Sequence, residues 1–171
     1  MKKSLLFLAL TAIALTSCDS VKPYDTPYEE FSFGLDWGVQ LDSSYDSKTG
    51  KVVKTNKVIE RKPEEYITTY QLPNLEEIYN KVKKMNPYSY ARDFDPFKSK
   101  YHIQSIPSTN YYLVIDDKII EVKDFPIGVG ADDKSLSSKG KKFIELVYLI
   151  IDTVQASDEW KALPDYEVLY A

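Results

Sequence analysis

The chain has 171 residues, with 22 basic against 26 acidic side chains, one cysteine, one histidine and 14 tyrosines. A length of this order fits one domain whose core can form without a staple. A lone cysteine excludes an internal disulfide framework, and the acidic balance excludes a nucleic-acid partner, which selects basic surfaces.

The first element is a leader. Lys2 and Lys3 precede an apolar run from Leu5 to Leu15. That run is too short to cross about 30 Å of hydrocarbon as a helix, which takes about 20 residues, but suits the apolar region of a signal peptide. It ends in Leu15-Thr16-Ser17-Cys18, with the only cysteine of the chain at its last position. These residues resemble the lipobox of bacterial lipoproteins. The resemblance implies that residues 1–17 are a lipoprotein signal peptide, that Cys18 receives a diacylglyceryl group, with acyl chains such as palmitate, and that cleavage falls just before it. It implies a body held at a membrane through the lipid on Cys18, since two or more acyl chains anchor stably where one does not. Asp19 resembles the inner-membrane retention signal of enterobacteria. The Thr-Ser-Cys box and the acidic, Tyr-rich segment after it look like lipoproteins of the Bacteroidota, which favours the outer membrane, on either its periplasmic or its surface face. Cleavage would remove Lys2 and Lys3, leaving 20 basic against 26 acidic residues and a net charge of −6. A charge of that sign argues against the protein body lying on anionic lipid.

Residues 18–30 read as the lipidated Cys and a semi-extended tether, because Pro23 and Pro27 interrupt a segment without hydrophobic period. Residues 31–171 read as a single α+β domain. Phe31, Phe33, Leu35, Trp37 and Val39 alternate with small or polar residues and predict a strand. Ser47-Lys48-Thr49-Gly50 predicts a turn, with a returning strand from Lys51 to about Ile59, and Tyr66–Leu72 predicts a third strand. Asn74 and Glu77 have the spacing of a capping box ahead of a helix whose face carries Leu75, Ile78, Tyr79, Val82 and Met85. Residues 86–110 read as a long irregular connection punctuated by Pro87, Pro96 and Pro107. A second hairpin, Tyr111–Asp116 and Ile119–Val122 about Asp117-Lys118, precedes a polar loop and a helix with Phe143, Leu146, Val147, Ile150 and Val154 on one stripe. Two hairpins and an extra strand, with helices following rather than alternating, predict an antiparallel sheet with two helices packed on one face.

Chemistry is sparse. His102 alone cannot anchor a triad, which needs geometry that sequence proximity does not supply. Ser138–Lys141 and Lys48–Gly50 spell S-x-x-K and K-T-G, but in the reverse of the order that serine β-lactamases use, and without the intervening motif. Gly128-Val129-Gly130 lacks the third glycine of a dinucleotide fingerprint. Asp93/Asp95, Asp116/Asp117 and Asp132/Asp133 lack the twelve-residue frame of a calcium loop. No metal site and no cofactor is expected. The constellation that points to binding is Tyr88, Tyr90, Phe94, Phe97 and Tyr101, interleaved with charged residues, since aromatic faces with polar flanks suit a sugar ring or a partner's apolar patch. The same rings would equally pin the loop to its own body. The sequence therefore predicts a non-catalytic cell-envelope lipoprotein that binds or supports a protein or glycan partner. The alternative is a small hydrolase or glycan-active enzyme working through carboxylates such as Asp93, Asp95 and Asp116.

Overall fold

The computed structural model describes residues 21–56, 64–99 and 107–164. The fold is α+β, an open antiparallel sheet of six strands with helices packed on it. Strands β1 (Phe33–Gly38), β2 (Ser43–Asp46), β3 (Lys51–Asn56) and β4 (Glu64–Thr69) precede helix α1 (Leu75–Met85). Strands β5 (Ser108–Ile115) and β6 (Lys118–Pro126) then lead to α2 (Ser138–Ala156) and the short α3 (Asp158–Lys161). The spatial order is β4-β3-β2-β1-β5-β6, so β1 sits in the middle and the β5–β6 hairpin pairs on its free side.

The period-two pattern holds from Phe31 to Trp37: Phe31, Phe33, Leu35 and Trp37 are buried while Gly34, Asp36 and Gly38 face the other way, but β1 ends at Gly38 and Val39, past it, is exposed. Register carries that division across the sheet. Leu35 lies opposite Tyr45 and Leu113, Tyr45 opposite Val52, and Leu113 opposite Ile120, all five buried on the helix side. The two main helices cover that face and run antiparallel: Asn74 at the start of α1 meets Thr153 near the end of α2, and Lys84 near its end meets Lys142 near the start of α2. Ile78, Val82 and Met85 from α1 and Phe143, Ile144, Leu146, Val147, Ile150, Ile151 and Val154 from α2 close the core.

Four features differ from the sequence reading. First, β1 does not pair with Lys51–Asn56. β2 stands between them, so the Asp46–Gly50 turn joins β2 to β3, with the Asp46 Oδ1 accepting from the amides of Lys48 and Thr49 at 2.8 and 3.2 Å. The β1–β2 connection needs Gly38, whose φ of +113° is a conformation that other residues rarely adopt. Second, Asn74 does not cap α1. Its side-chain amide donates to Thr153 Oγ1 at 3.1 Å, and so spends its polar group on tying the helices together. Third, α2 starts earlier than its apolar stripe, because Ser137 accepts from the Gly140 amide and caps it.

Fourth, the expected tether is part of the body from Lys22 onward. Tyr24 is only 5% exposed. Its hydroxyl and that of Thr26 donate to Asp116 Oδ2 at 2.8 and 2.9 Å, Tyr79 donates to the Thr26 carbonyl at 2.8 Å, and Asn86 donates to the Lys22 carbonyl at 3.1 Å. Asp116 itself sits in a left-handed turn at φ 52°, which aims its carboxylate at this segment. Cys18 and the leader lie outside the described residues.

Candidate functional site

The loop expected to bind turns inward. Tyr90 is 3% exposed, packs edge-on to Phe94 at 4.8 Å, and donates its hydroxyl to the Lys139 carbonyl at 3.0 Å. Burial pushes that hydroxyl's pKa well above its ordinary value. Phe94 is half-buried and meets Phe143 of α2 at 5.7 Å, Phe97 stacks on Phe125 at 5.6 Å, and Tyr88 leans on Tyr24 at 6.0 Å. These four rings fill the gap between the loop and the body rather than forming an outward patch. Tyr101 lies outside the described residues, as does His102. The loop is further clamped by its backbone: the Phe94 amide donates to the Glu121 carbonyl at 2.8 Å and the Glu121 amide to the Arg92 carbonyl at 2.6 Å.

What stays open is the sheet face away from the helices, which no described element covers. One row runs across all six strands: Glu121, Tyr112, Asp36, Ser44, Val53 and Ile67. Around it the chain is strained. Leu41, in the β1–β2 connection, and Asp124, on β6, hold positive φ, a conformation that costs a non-glycine residue about 1–2 kcal/mol. Asn110 joins the two strained points, donating to the Val39 carbonyl at 2.6 Å and accepting from the Asp124 amide at 3.0 Å, beside a register shift between Thr109 and Tyr111. The result is a shallow cleft of about 340 Å³ walled by Leu41, Asn110, Tyr112, Glu121, Val122 and Lys123.

A second cleft of about 290 Å³ adjoins it and shares Glu121 and Lys123. Phe94 and Phe97 line it, along with Asp93, Asp95 and Asp124. Glu121 is the pivot. It is 15% exposed, bonds the Arg92 guanidinium at 2.8 Å, and meets Lys123 Nζ at 3.3 Å, while Lys123 also reaches Asp93 at 3.5 Å. The Arg92 hydrogen bond, and after it the one from Lys123, holds the Glu121 carboxyl below the usual range. Asp36, two strands away, is pushed the other way by desolvation. The clefts thus offer apolar walls with both signs of charge held in place, which suits an amphipathic ligand better than a uniformly charged one.

Of the carboxylates named from sequence, Asp93 and Asp95 reach the second cleft. The Asp93 side chain is 80% exposed, and Asp95 accepts from the Phe97 amide at 2.9 Å, bracing its own loop. Asp116 instead holds the N-terminal segment. Among the described residues no group of three His, Cys, Asp or Glu side chains could hold a metal ion, and no helix is long and apolar enough to cross a membrane. Sequence reasoning missed Tyr112 and Glu121. The available signal was Tyr111-Tyr112: in a strand, adjacent residues face opposite sides, so two consecutive tyrosines put one ring on the uncovered face. No family model matches the chain, and no curated protein matches it as a relative.

Proposed function

We propose that the protein is a lipid-anchored protein of the bacterial cell envelope, with the outer membrane favoured, whose body binds a protein or glycan partner without catalysing a reaction. The observation that carries the anchor is the placement of the chain's only cysteine at the end of a lipobox, Leu15-Thr16-Ser17-Cys18, behind an apolar leader. The observation that favours binding is the pair of clefts that meet at Glu121 on an uncovered sheet face. Cys18→Ser should release the protein from membranes or leave a heavier, uncut precursor, read by fractionation and intact mass. Equal processing and equal membrane recovery of variant and parent would refute the anchor. Tyr112→Ala combined with Glu121→Gln should abolish partner capture with the melting temperature nearly unchanged, and capture at the parent's level would refute the cleft.

A second reading, a carboxylate-dependent hydrolase, is favoured by one observation: Asp93, Asp95, Glu121 and Asp124 line the same cleft. It predicts a glycan or ester turnover that Asp93→Asn or Asp95→Asn removes while capture survives.

A further inference from the structure

The net charge of the mature chain is negative, yet lysines gather where the N-terminal segment joins the body. Lys83 and Lys84 end α1, Lys139 and Lys142 begin α2, and Lys22 lies beside them; all five are exposed. Contacts knit them into one patch. Lys142 Nζ donates to the Lys84 carbonyl at 3.1 Å, Lys139 Nζ donates to the Ser89 carbonyl, and the Lys22 carbonyl accepts from Asn86. Lys22 Nζ stands 6.0 Å from the Tyr88 ring and Lys83 Nζ 5.3 Å from the Tyr79 ring. The acidic neighbours given by contact are Asp25, paired with Lys22 at 3.4 Å, and Glu145, at 3.9 Å from Lys81.

Acidic residues lie at the other end of the same helix pair: Glu76 and Glu77 open α1, and Asp158 and Glu159 follow α2. The helix pair is therefore electrically polarised along its length. Helix dipoles account for the lysines ending α1 and the acids opening it, but not for α2, whose first turn holds lysines and no acid, against the preference of that terminus for negative charge. Within the fold, Lys142 meets the Lys84 carbonyl at the end of α1, while Lys139 reaches the Ser89 carbonyl and the Tyr90 ring; no acidic side chain is among these contacts.

Cys18 is three residues before Val21, and a chain covers at most about 3.6 Å per residue, so the anchor lies within about 11 Å of Val21. That is close to the Debye length of about 8–10 Å at ordinary ionic strength, so Lys22, next to Val21 and bonded through its carbonyl to Asn86, would feel the surface potential of the leaflet that holds the lipid and set the patch toward it. We propose that this lysine patch is a membrane-docking surface, which lays the helix-pair end of the body against anionic lipid headgroups. The inference rests on the anchored reading of Cys18 and adds an orientation to it. Net charge hides the patch because it averages over the two ends.

The test uses the full processed chain, with the lipid on Cys18 checked by intact mass, in vesicles of phosphatidylcholine alone or with about one third phosphatidylglycerol. Amine acylation is followed residue by residue. In anionic vesicles Lys22, Lys84, Lys139 and Lys142 should react at least about threefold more slowly than in neutral ones, and about 0.5 M salt should restore them. Lys161, on α3 beyond the far end of α2, should react alike in both. Lipid on Cys18 with no such protection overturns the docking and leaves the anchor standing, as does equal protection in neutral vesicles. An unlipidated Cys18 overturns the anchored reading itself.

Discussion

Gly140→Ala should destabilise the protein, although the same change in an exposed helix interior gains about 1 kcal/mol. Gly140 lies in the first turn of α2, and a Cβ there would fall 2.0 Å from the Pro96 carbonyl oxygen, 2.8 Å from its carbon and 3.0 Å from the Pro96 Cα. All three are backbone atoms, so no rotamer relieves the contact. The carbonyl must retreat by more than an ångström to reach ordinary contact, which breaks the bond it accepts from the Ser137 amide at 2.9 Å. The shift also strains the Lys98 amide's bond to the Ser135 carbonyl at 2.9 Å and the stacking of Phe97 on Phe125. Two hydrogen bonds at about 1 kcal/mol each, with an overpacking cost of about 1–3 kcal/mol, outweigh the propensity gain and leave a net loss of about 2–4 kcal/mol. Urea unfolding followed by tryptophan fluorescence should show the midpoint falling with the slope unchanged. A Gly140→Ala protein as stable as its parent, or more so, would mean that the Pro96 segment yields freely, and the account of the loop as clamped packing would fail.

Trp37→Ala should cost about 3–5 kcal/mol, because Trp37 is buried and packs on Trp160 at 5.7 Å; a loss below about 1 kcal/mol would put that face of β1 in water. Asp36→Asn should stabilise the protein at neutral pH and lose that advantage in acid. Desolvation raises the folded carboxyl above its unfolded value of about 3.9, so the parent is penalised while Asp36 is ionised and regains stability as pH falls through the raised pKa. Melting curves at several pH values check this, and a constant difference between the two proteins refutes it. Asp116→Ala removes the acceptor shared by Tyr24 and Thr26 and should cost about 2–3 kcal/mol, with faster proteolysis between residues 22 and 30; an unchanged digestion rate would restore the tether.

The elements legible in the sequence were those in which one period fixes one face. β1 alternates over its whole length and both helices carry unbroken stripes, so their inward residues follow directly. β2 was not legible, because Ser43-Ser44-Tyr45-Asp46 offers one apolar side chain, and its burial is conferred by β1 and β3 on either side. Asn74 and Glu77 have the spacing of a capping box, but a partner 79 residues away, Thr153, takes the Asn74 amide. The loop aromatics offered two readings, a ligand-binding set or packing against the body, and Tyr88, Tyr90, Phe94 and Phe97 pack against the body. With neither helical nor strand period between Pro87 and Phe97, nothing local says whether a partner or the body covers them. The clefts were hidden for a related reason: Tyr112 and Glu121 are neighbours only through the β5–β6 register.

Docking of the N-terminal segment also changes what an anchor on Cys18 would do. A free chain of about a dozen residues has a mean end-to-end span of about 20 Å, and a body on such a tether turns without preferred direction. With Lys22 held by Asn86 and Tyr24 and Thr26 by Asp116, an anchor on Cys18 would pull on the body where the end of α1 and the β5–β6 turn meet this segment. Asn110 and the cleft beside it lie at the other end of that hairpin, six residues along β5, or about 20 Å at strand rise. A body held where the segment docks carries Asn110 and its side of the first cleft away from the anchor, with Tyr112 and Glu121 about midway along the hairpin. The uncovered sheet face beyond Tyr112 is the ground along which a larger ligand would extend. The Tyr24–Asp116 bond, which closes no part of the cleft, is on this account what fixes the cleft's direction.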